Sequence, residues 1–217
     1  MTARVDYGGT LWGEKGHPSF LGGAVVEARV RDQWIRQTNV ASGRQMIFDR
    51  SRDWIVVMEP NGDVIEEMTD PRRTFDGYSR GSPWDVAQAA YFRCYTTWHY
   101  LLEPFDFTFP GTTSGEIEGH AEHGERWRGL RVTFPPEVDS HNQTQLYYFD
   151  EEYRLRRTDL QPEVNDFSRT TQYSYDHVTV DGITLPRSRR VYLRRLDRSP
   201  DTAHVPLTVD VSEVRYA

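Results

Sequence analysis

The sequence predicts a mainly β, α+β fold: a strongly curved antiparallel sheet of about ten strands wrapped around one long helix. Only residues 82–103 carry a long apolar period of 3.6 residues. The segments on both sides show the period-two alternation of strands, separated by turn residues. The helix is also rich in aromatic residues, and a single such helix among strands is buried best when the sheet curves around it. All 217 residues are expected to form one domain.

The helix is predicted from Ser82 to Glu103. We expect Ser82 to cap its N-terminus and Pro83 to occupy its first position, and Pro104 should end it. Apolar side chains spaced by three and four residues form one stripe, which comprises Trp84, Ala87, Tyr91, Cys94, Tyr95, Trp98, Leu101 and Leu102. The only cysteine, Cys94, lies on this stripe, so we interpret it as a core residue and not as a nucleophile.

Strands are expected in two groups, one on each side of the helix. The first is a meander of about six strands, in which Asn61-Gly62 is a strong hairpin-turn signal. Its expected strands are 5–12, 24–30, 33–40, 44–49, 53–59 and 63–68. The second group is expected at 126–134, 144–150, 153–160, 171–180, 183–185, 188–196 and 207–216. The polar residues 116–125 are interpreted as a loop.

Composition limits the classes of partner. The net charge of −7 disfavours a nucleic acid or an anionic membrane surface as a general partner. No apolar run reaches the roughly 18 residues of a membrane span, and the N-terminus lacks the apolar segment of a signal peptide. A cytoplasmic location is therefore expected.

Lys15 is the only lysine among 26 basic residues, which we attribute to codon usage in a GC-rich genome. Nothing in the sequence indicates the oligomeric state.

The second half of the chain resembles a known fold. The stretches 127–134, 144–160 and 175–193 are similar to the late strands of the LolA-like group, the lipoprotein-carrier half-barrels. In that fold a curved antiparallel sheet wraps a helical plug. The resemblance implies the same architecture here, and it implies a hydrophobic ligand held under the sheet.

Five short motifs give a nearer resemblance. They lie at 70–72, 83–85, 90–92, 176–177 and 186–190. Together they resemble a set of uncharacterised bacterial LolA-like proteins that have no established activity. The chain differs from the lipoprotein carriers at its start, where no signal peptide is apparent.

The first candidate for chemistry is one face of the helix. Tyr95, His99 and Glu103 are spaced by four residues, so neighbours in this series can touch. If this face lines a cavity, His99 can act as a general base and Glu103 can orient its imidazole. The alternative is that Glu103 is solvated and His99 only interacts with the helix dipole.

The second candidate is His177. Strand alternation places it on one face with Tyr173 and Tyr175, which suggests an aromatic concave surface. The catalytic candidates are thus His99, Glu103 and His177. The residues expected to contact a ligand are Trp34, Trp54, Trp84, Tyr91, Tyr95, Trp98, Tyr148, Tyr173 and Tyr175.

Metal and cofactor sites are not expected. His120 and His123 form an H-x-x-H pattern among carboxylates, which raises a metal hypothesis, but an exposed polar loop is the preferred interpretation. No nucleotide-binding, hydrolase-elbow or zinc-protease motif occurs in the sequence.

Three functions fit these observations. The first is binding of a hydrophobic or aromatic small molecule, such as a lipid, isoprenoid or polyketide-like compound, between helix and sheet. The second is a cofactor-independent enzyme, a cyclase, isomerase or hydrolase, acting on such a compound in a biosynthetic pathway. The third is a protein-interaction module. The first two require a cavity of at least roughly 300 Å³.

Overall fold

The structure is a computed structural model that describes residues 1–216. Its strands are β1 (Thr2–Gly8), β2 (Gly22–Ala28), β3 (Trp34–Asn39), β4 (Gln45–Asp49), β5 (Trp54–Met58), β6 (Val64–Thr69), β7 (Thr113–Glu122), β8 (Glu125–Thr133), β9 (Thr144–Phe149), β10 (Leu155–Leu160), β11 (Thr170–Val180), β12 (Ile183–Leu193) and β13 (Leu207–Arg215). The helices are α1 (Leu11–Glu14) and α2 (Val86–Leu102), with 3-10 turns at Pro18–Phe20, Arg50–Arg52, Pro71–Phe75, Phe105–Thr108 and Glu163–Asn165.

All the strands form one antiparallel sheet in the order β6-β5-β4-β3-β2-β1-β13-β12-β11-β10-β9-β8-β7. Two meanders are therefore joined where β1 pairs with β13. One hydrophobic cluster contains residues of β1 to β5, α2, β12 and β13, so the sheet curves around α2. The expected antiparallel sheet around one long helix is confirmed.

The sheet has 13 strands, not about ten. The interpretation of 116–125 as a loop is wrong, because most of it belongs to β7. This strand lies at the edge of the sheet and is mostly exposed, so its sequence lacks the apolar alternation that marks half-buried strands. The two strands expected at 183–185 and 188–196 are one strand, β12, which continues through Pro186.

The N-terminus of α2 differs from the prediction. Asp85, not Ser82, is the cap: its carboxylate accepts a hydrogen bond from the Gln88 N–H (2.7 Å), and the Gln88 side-chain oxygen accepts one from the Asp85 N–H (3.0 Å). This reciprocal pair satisfies two backbone donors at once. Ser82 instead closes a turn with Ser79, so Pro83 precedes the helix.

All residues of α2 from Ala87 to Leu102 are buried, so the helix is a plug enclosed on every side. On the side of the first meander, polar side chains of α2 make internal contacts, although Arg93 Nη2 has no hydrogen-bond partner in residues 1–216. Arg93 donates to Gln37 Oε1 (2.9 Å) and to the Phe20 carbonyl oxygen (2.6 Å), and its guanidinium stacks on the Tyr7 ring. In the described residues, no helix is long and apolar enough to cross a membrane.

Candidate functional site

The second meander presents two rows of side chains to α2. Residues paired across antiparallel strands lie on the same face of a sheet. The first row is Leu207, Val191, Gln172, Thr158 and Tyr147, and the second is Val209, Arg189 and Ser174. Val191, Leu207 and Val209 belong to the same hydrophobic cluster as α2, so both rows are on the inner face.

These rows contain buried polar atoms that lack a partner. Thr158 Oγ1, both amide atoms of Gln172, Ser174 Oγ and Arg189 Nε make no hydrogen bond to any part of residues 1–216. All of these side chains belong to residues with 0% exposure. Burying one unsatisfied polar group costs about 1–3 kcal/mol. Five such atoms on adjacent inner positions therefore form a polar surface that is open to a further partner.

A cavity of about 50 Å³ lies between α2 and the second meander, and Gln172 is the member of this polar surface that lines it. Phe92 and Tyr100 line it on the helix side, and Leu160, Gln172 and Val191 line it on the sheet side. We call this space the gap. It is smaller than the roughly 300 Å³ that the two small-molecule functions require, so the gap does not meet this requirement unless it widens. Of the residues predicted to contact a ligand, Trp84 lines the gap.

The gap is small because residues 135–143, between β8 and β9, enter the concave side of the sheet. Asp139 and His141 are both buried there. His141 lines the gap, with its Nδ1 3.4 Å from Tyr95 Oη and its Nε2 3.2 Å from Tyr100 Oη. The sequence did not point to His141, since this short polar segment lacks strand or helix periodicity and is typical of an exposed loop.

His141 is an uncharged histidine. Burial lowers the pKa of its imidazole to about 3, and the nearby His99 and Arg72 act in the same direction. A neutral imidazole has one donor and one acceptor nitrogen. One tyrosine hydroxyl therefore donates to His141 and the other accepts from it.

This pKa predicts an acid-dependent loss of stability. The unfolded chain binds a proton at His141 near the ordinary pKa of 6.5, whereas the folded chain does not until about pH 3. The contribution of His141 to stability is thus lost as the pH falls below 6.5, by about 2 kcal/mol between pH 7.5 and pH 5. In His141→Gln the free energy of unfolding, measured with urea, should fall less over this range by about that amount. Equal pH dependence in both proteins would contradict the neutral, buried state of His141.

Asp139 anchors the entering segment. Tyr91 Oη donates to its Oδ2 (2.9 Å), and the Nε atoms of Arg72 and Arg50 each lie 3.4 Å from its Oδ1. Gln33 binds its backbone on both sides, donating to the carbonyl oxygen (2.6 Å) and accepting from the N–H (2.8 Å). The segment is therefore fixed to α2 and to the first meander through one residue.

His99 has a different partner from the predicted one. Its Nδ1 lies 2.6 Å from Asp106 Oδ2, and its Nε2 donates to the Asp139 carbonyl oxygen (2.8 Å). Burial opposes the charge on His99, but the Asp106 carboxylate outweighs it, so the pKa of His99 is raised. Both ring nitrogens are occupied and His99 does not line the gap. This arrangement positions residues 135–143.

Glu103 faces Arg189 (3.5 Å) and does not orient His99. The four-residue spacing places His99 and Glu103 on neighbouring turns of the helix, but Asp106 in the following 3-10 turn comes closer to the imidazole of His99. Burial raises the pKa of Glu103 to about 7, against the effect of Arg189.

Several aromatic residues predicted to line the cavity lie on the outer face of the sheet. These are Trp34, Trp54, Tyr148, Tyr173 and Tyr175. Trp34 and Trp54 alternate with Ile35 and Ile55, which are in the core. Tyr148 and Tyr173 pack in a separate cluster with Trp127. Alternation groups Tyr173 with Tyr175 correctly, but it does not indicate which face points inward.

The remaining predicted residues lie elsewhere in the structure. Tyr91, Tyr95 and Trp98 are in the core cluster of α2. His177 follows Asp176, whose φ of 57° interrupts the alternation, and it does not line the gap. Its catalytic role remains a prediction.

The H-x-x-H pair lies on the outer face. His120 Nε2 is 3.0 Å from Arg157 Nη1, whereas His123 is at the turn after β7. Arg157 is fully buried and also binds Asp159 (2.8 Å) and Glu122 (3.0 Å). No group of three metal-ligating side chains occurs in the part of the chain that the structure describes.

Comparison with known proteins bears on the fold. No protein-family model and no curated protein matches the sequence. A solved structure of a LolA superfamily protein from Nitrosomonas europaea matches 100% of this chain and 85% of its own, with a TM-score of 0.55 and 12% identity. The fold is LolA-like. A domain from Vibrio parahaemolyticus named for outer membrane lipoprotein sorting matches 99% of this chain and 83% of its own, with a TM-score of 0.56 and 10% identity.

At such identities the likeness establishes the architecture alone. Within this LolA-like fold, α2 is the plug, and the gap lies between the plug and the second meander. The residues that line the gap therefore have to be interpreted from their own chemistry.

Proposed function

We propose that the protein binds an amphipathic small molecule in the gap, with an apolar part against α2 and a hydrogen-bonding group at Gln172. The class is a lipid, isoprenoid or polyketide-like compound. The observation that carries this proposal is Gln172, which lines the gap, is fully buried and has no hydrogen-bond partner for either amide atom in the described chain.

The lining of the gap supports this choice of ligand. Trp84, Phe92 and Val191 are apolar, whereas Gln172 contributes both a donor and an acceptor. Small-molecule sites commonly combine apolar walls with a few polar groups that fix orientation. One protein of the same fold is named for lipoprotein sorting, and this agrees with a partly apolar ligand.

Entry of the ligand requires the gap to widen, because 50 Å³ holds only a few non-hydrogen atoms. Its mouth is formed by α1 and by residues of the irregular segments 76–85 and 198–206. Few backbone hydrogen bonds join these segments, among them Trp84 N–H to the Lys15 oxygen (3.1 Å) and Leu11 N–H to the Pro206 oxygen (2.9 Å). We infer that these segments separate while the sheet keeps its register.

A second candidate function is a cofactor-independent enzyme. The observation that favours it is His141, a neutral imidazole between the hydroxyl groups of Tyr95 and Tyr100 at the wall of the gap. Such a row can pass a proton to or from a bound compound. An enzyme would lose turnover but keep ligand affinity in His141→Gln, whereas a binding protein shows no turnover in the wild type.

A titration with 1-dodecanol, an uncharged amphiphile, tests binding in the gap. Wild-type protein should bind it saturably, as measured by calorimetry. Val191→Phe fills the gap and should lower the affinity roughly tenfold or more. The control is Phe105→Ser in the open groove of about 540 Å³ at the other end of α2, which should leave the affinity unchanged. Loss of binding in the control with retention in Val191→Phe would place the site in the groove and contradict the proposal.

A further inference from the structure

Lys15 lies at the mouth of the gap. It is the only lysine of the chain, and it is 2% exposed. Its Nζ donates to the carbonyl oxygens of Arg80 (2.6 Å) and Ser82 (3.2 Å), and it sits 4.6 Å from the centroid of the Trp84 ring. An ammonium has three donors, so one N–H of Lys15 remains available.

The ammonium group of Lys15 forms no ion pair with the described residues. Within residues 1–216, no carboxylate lies within 4.0 Å of its Nζ. The nearest acidic residue along the chain is Glu14, whose carboxylate pairs with His204 Nε2 (3.1 Å). Arg80 also lines the mouth and adds a second positive charge. Lys15, Arg80 and Glu14 together leave an excess of one positive charge at the entrance.

A buried charge is costly unless it is paired. Burial accordingly lowers the pKa of Lys15 to about 8, which still leaves most molecules protonated at pH 7. The ring of Trp84 and two carbonyl oxygens offset part of this cost, and a ligand anion would offset more.

We propose that Lys15 binds a carboxylate of the ligand at the mouth of the gap, so that the ligand is an amphipathic carboxylic acid. This inference rests on the proposed function. A single available N–H and one excess positive charge match a singly charged carboxylate, whereas a phosphate monoester requires more donors. The carboxylate would remain at the entrance while the apolar part of the ligand extends along α2, and a second polar group of the natural ligand would reach Gln172.

The test compares dodecanoic acid, 1-dodecanol and dodecyl phosphate by calorimetry at pH 7, below their aggregation concentrations. Wild-type protein should bind the acid roughly tenfold or more tightly than the alcohol, as a charge-assisted hydrogen bond predicts. Lys15→Met should remove this preference, so that it binds the acid no more tightly than the alcohol, and retention of the preference in this variant would overturn the inference. Glu14→Gln removes a competing negative charge nearby, so it should keep or increase the preference.

The outcomes separate the two proposals. If the alcohol and the acid bind equally to the wild type, the inference about Lys15 is wrong and the proposed function stands. If neither binds, the proposed function is wrong. Tighter binding of dodecyl phosphate than of the acid would overturn the carboxylate assignment. If Lys15→Met does not fold, Lys15→Arg replaces it, and loss of the preference for the acid in that variant would also overturn the inference.

Discussion

Replacement of Gln172 by Met and Thr158 by Val in one protein is expected to raise stability and to weaken ligand binding. Both substitutions keep the approximate shape of the side chain and remove buried polar atoms that have no partner in the described chain. Because each unsatisfied group costs about 1–3 kcal/mol, the free energy of unfolding should rise by about 2 kcal/mol or more. The same change removes the hydrogen-bonding group for the ligand, so affinity for 1-dodecanol should fall roughly tenfold or more.

Urea unfolding and calorimetry measure the two effects on the same samples. Thr184→Val is a suitable control, because this threonine is an exposed residue of β12 and should change neither quantity by a large amount. A double variant that is less stable than the wild type would contradict the account. It would mean that internal water already satisfies Gln172 and Thr158 in the folded protein.

Asp139→Asn is expected to produce the largest loss of stability, about 3 kcal/mol in urea unfolding. The Asp139 carboxylate is nearly fully buried and lies close to the guanidinium groups of Arg72 and Arg50. Removal of one partner from a buried ion pair leaves an uncompensated charge, and such changes cost roughly 3–5 kcal/mol. We expect a loss at the low end of this range because Arg72 keeps its ion pair with Glu163 (2.7 Å).

This variant should also loosen the segment that fills the concave side. Hydrogen exchange of backbone amides in residues 135–143 should become faster, whereas exchange in the first meander should change little. Asp70→Asn is the matched control, because Asp70 pairs with Arg73 (3.5 Å) at the surface and such pairs contribute about 0–1 kcal/mol. If Asp139→Asn is no less stable than this control, Asp139 does not anchor the segment.

The architecture could be predicted from the sequence because its strongest signals are local. The periodicity of α2 and the hairpin turn at Asn61-Gly62 depend on residues close together in the chain. The helix cap was misplaced by three residues, since Ser82 and Asp85 both carry cap chemistry and only the contact with Gln88 distinguishes them. The edge strand β7 was missed because exposure on both faces removes alternation.

The site could be predicted only in part. Alternation identifies residues that share a face, but the inward face depends on the curvature of the whole sheet, and so Tyr148 and Tyr173 were assigned to the wrong side. The position of His141 depends on a loop that enters the concave side of the sheet, and no periodic pattern in the sequence predicts this path of the chain. The unpartnered state of Gln172 is a property of its neighbours on β10 and β12, which lie far from it in sequence.

Native mass spectrometry of the protein purified gently from its own host tests the central claim most directly. The wild type should carry a small molecule of discrete mass, and the Gln172→Met/Thr158→Val variant, purified in the same way, should lack it. The adduct should be an organic compound with an apolar chain or ring system and at least one hydrogen-bonding group. Wild-type protein with no adduct, or an adduct of equal occupancy in both proteins, would contradict binding at the polar surface of the gap.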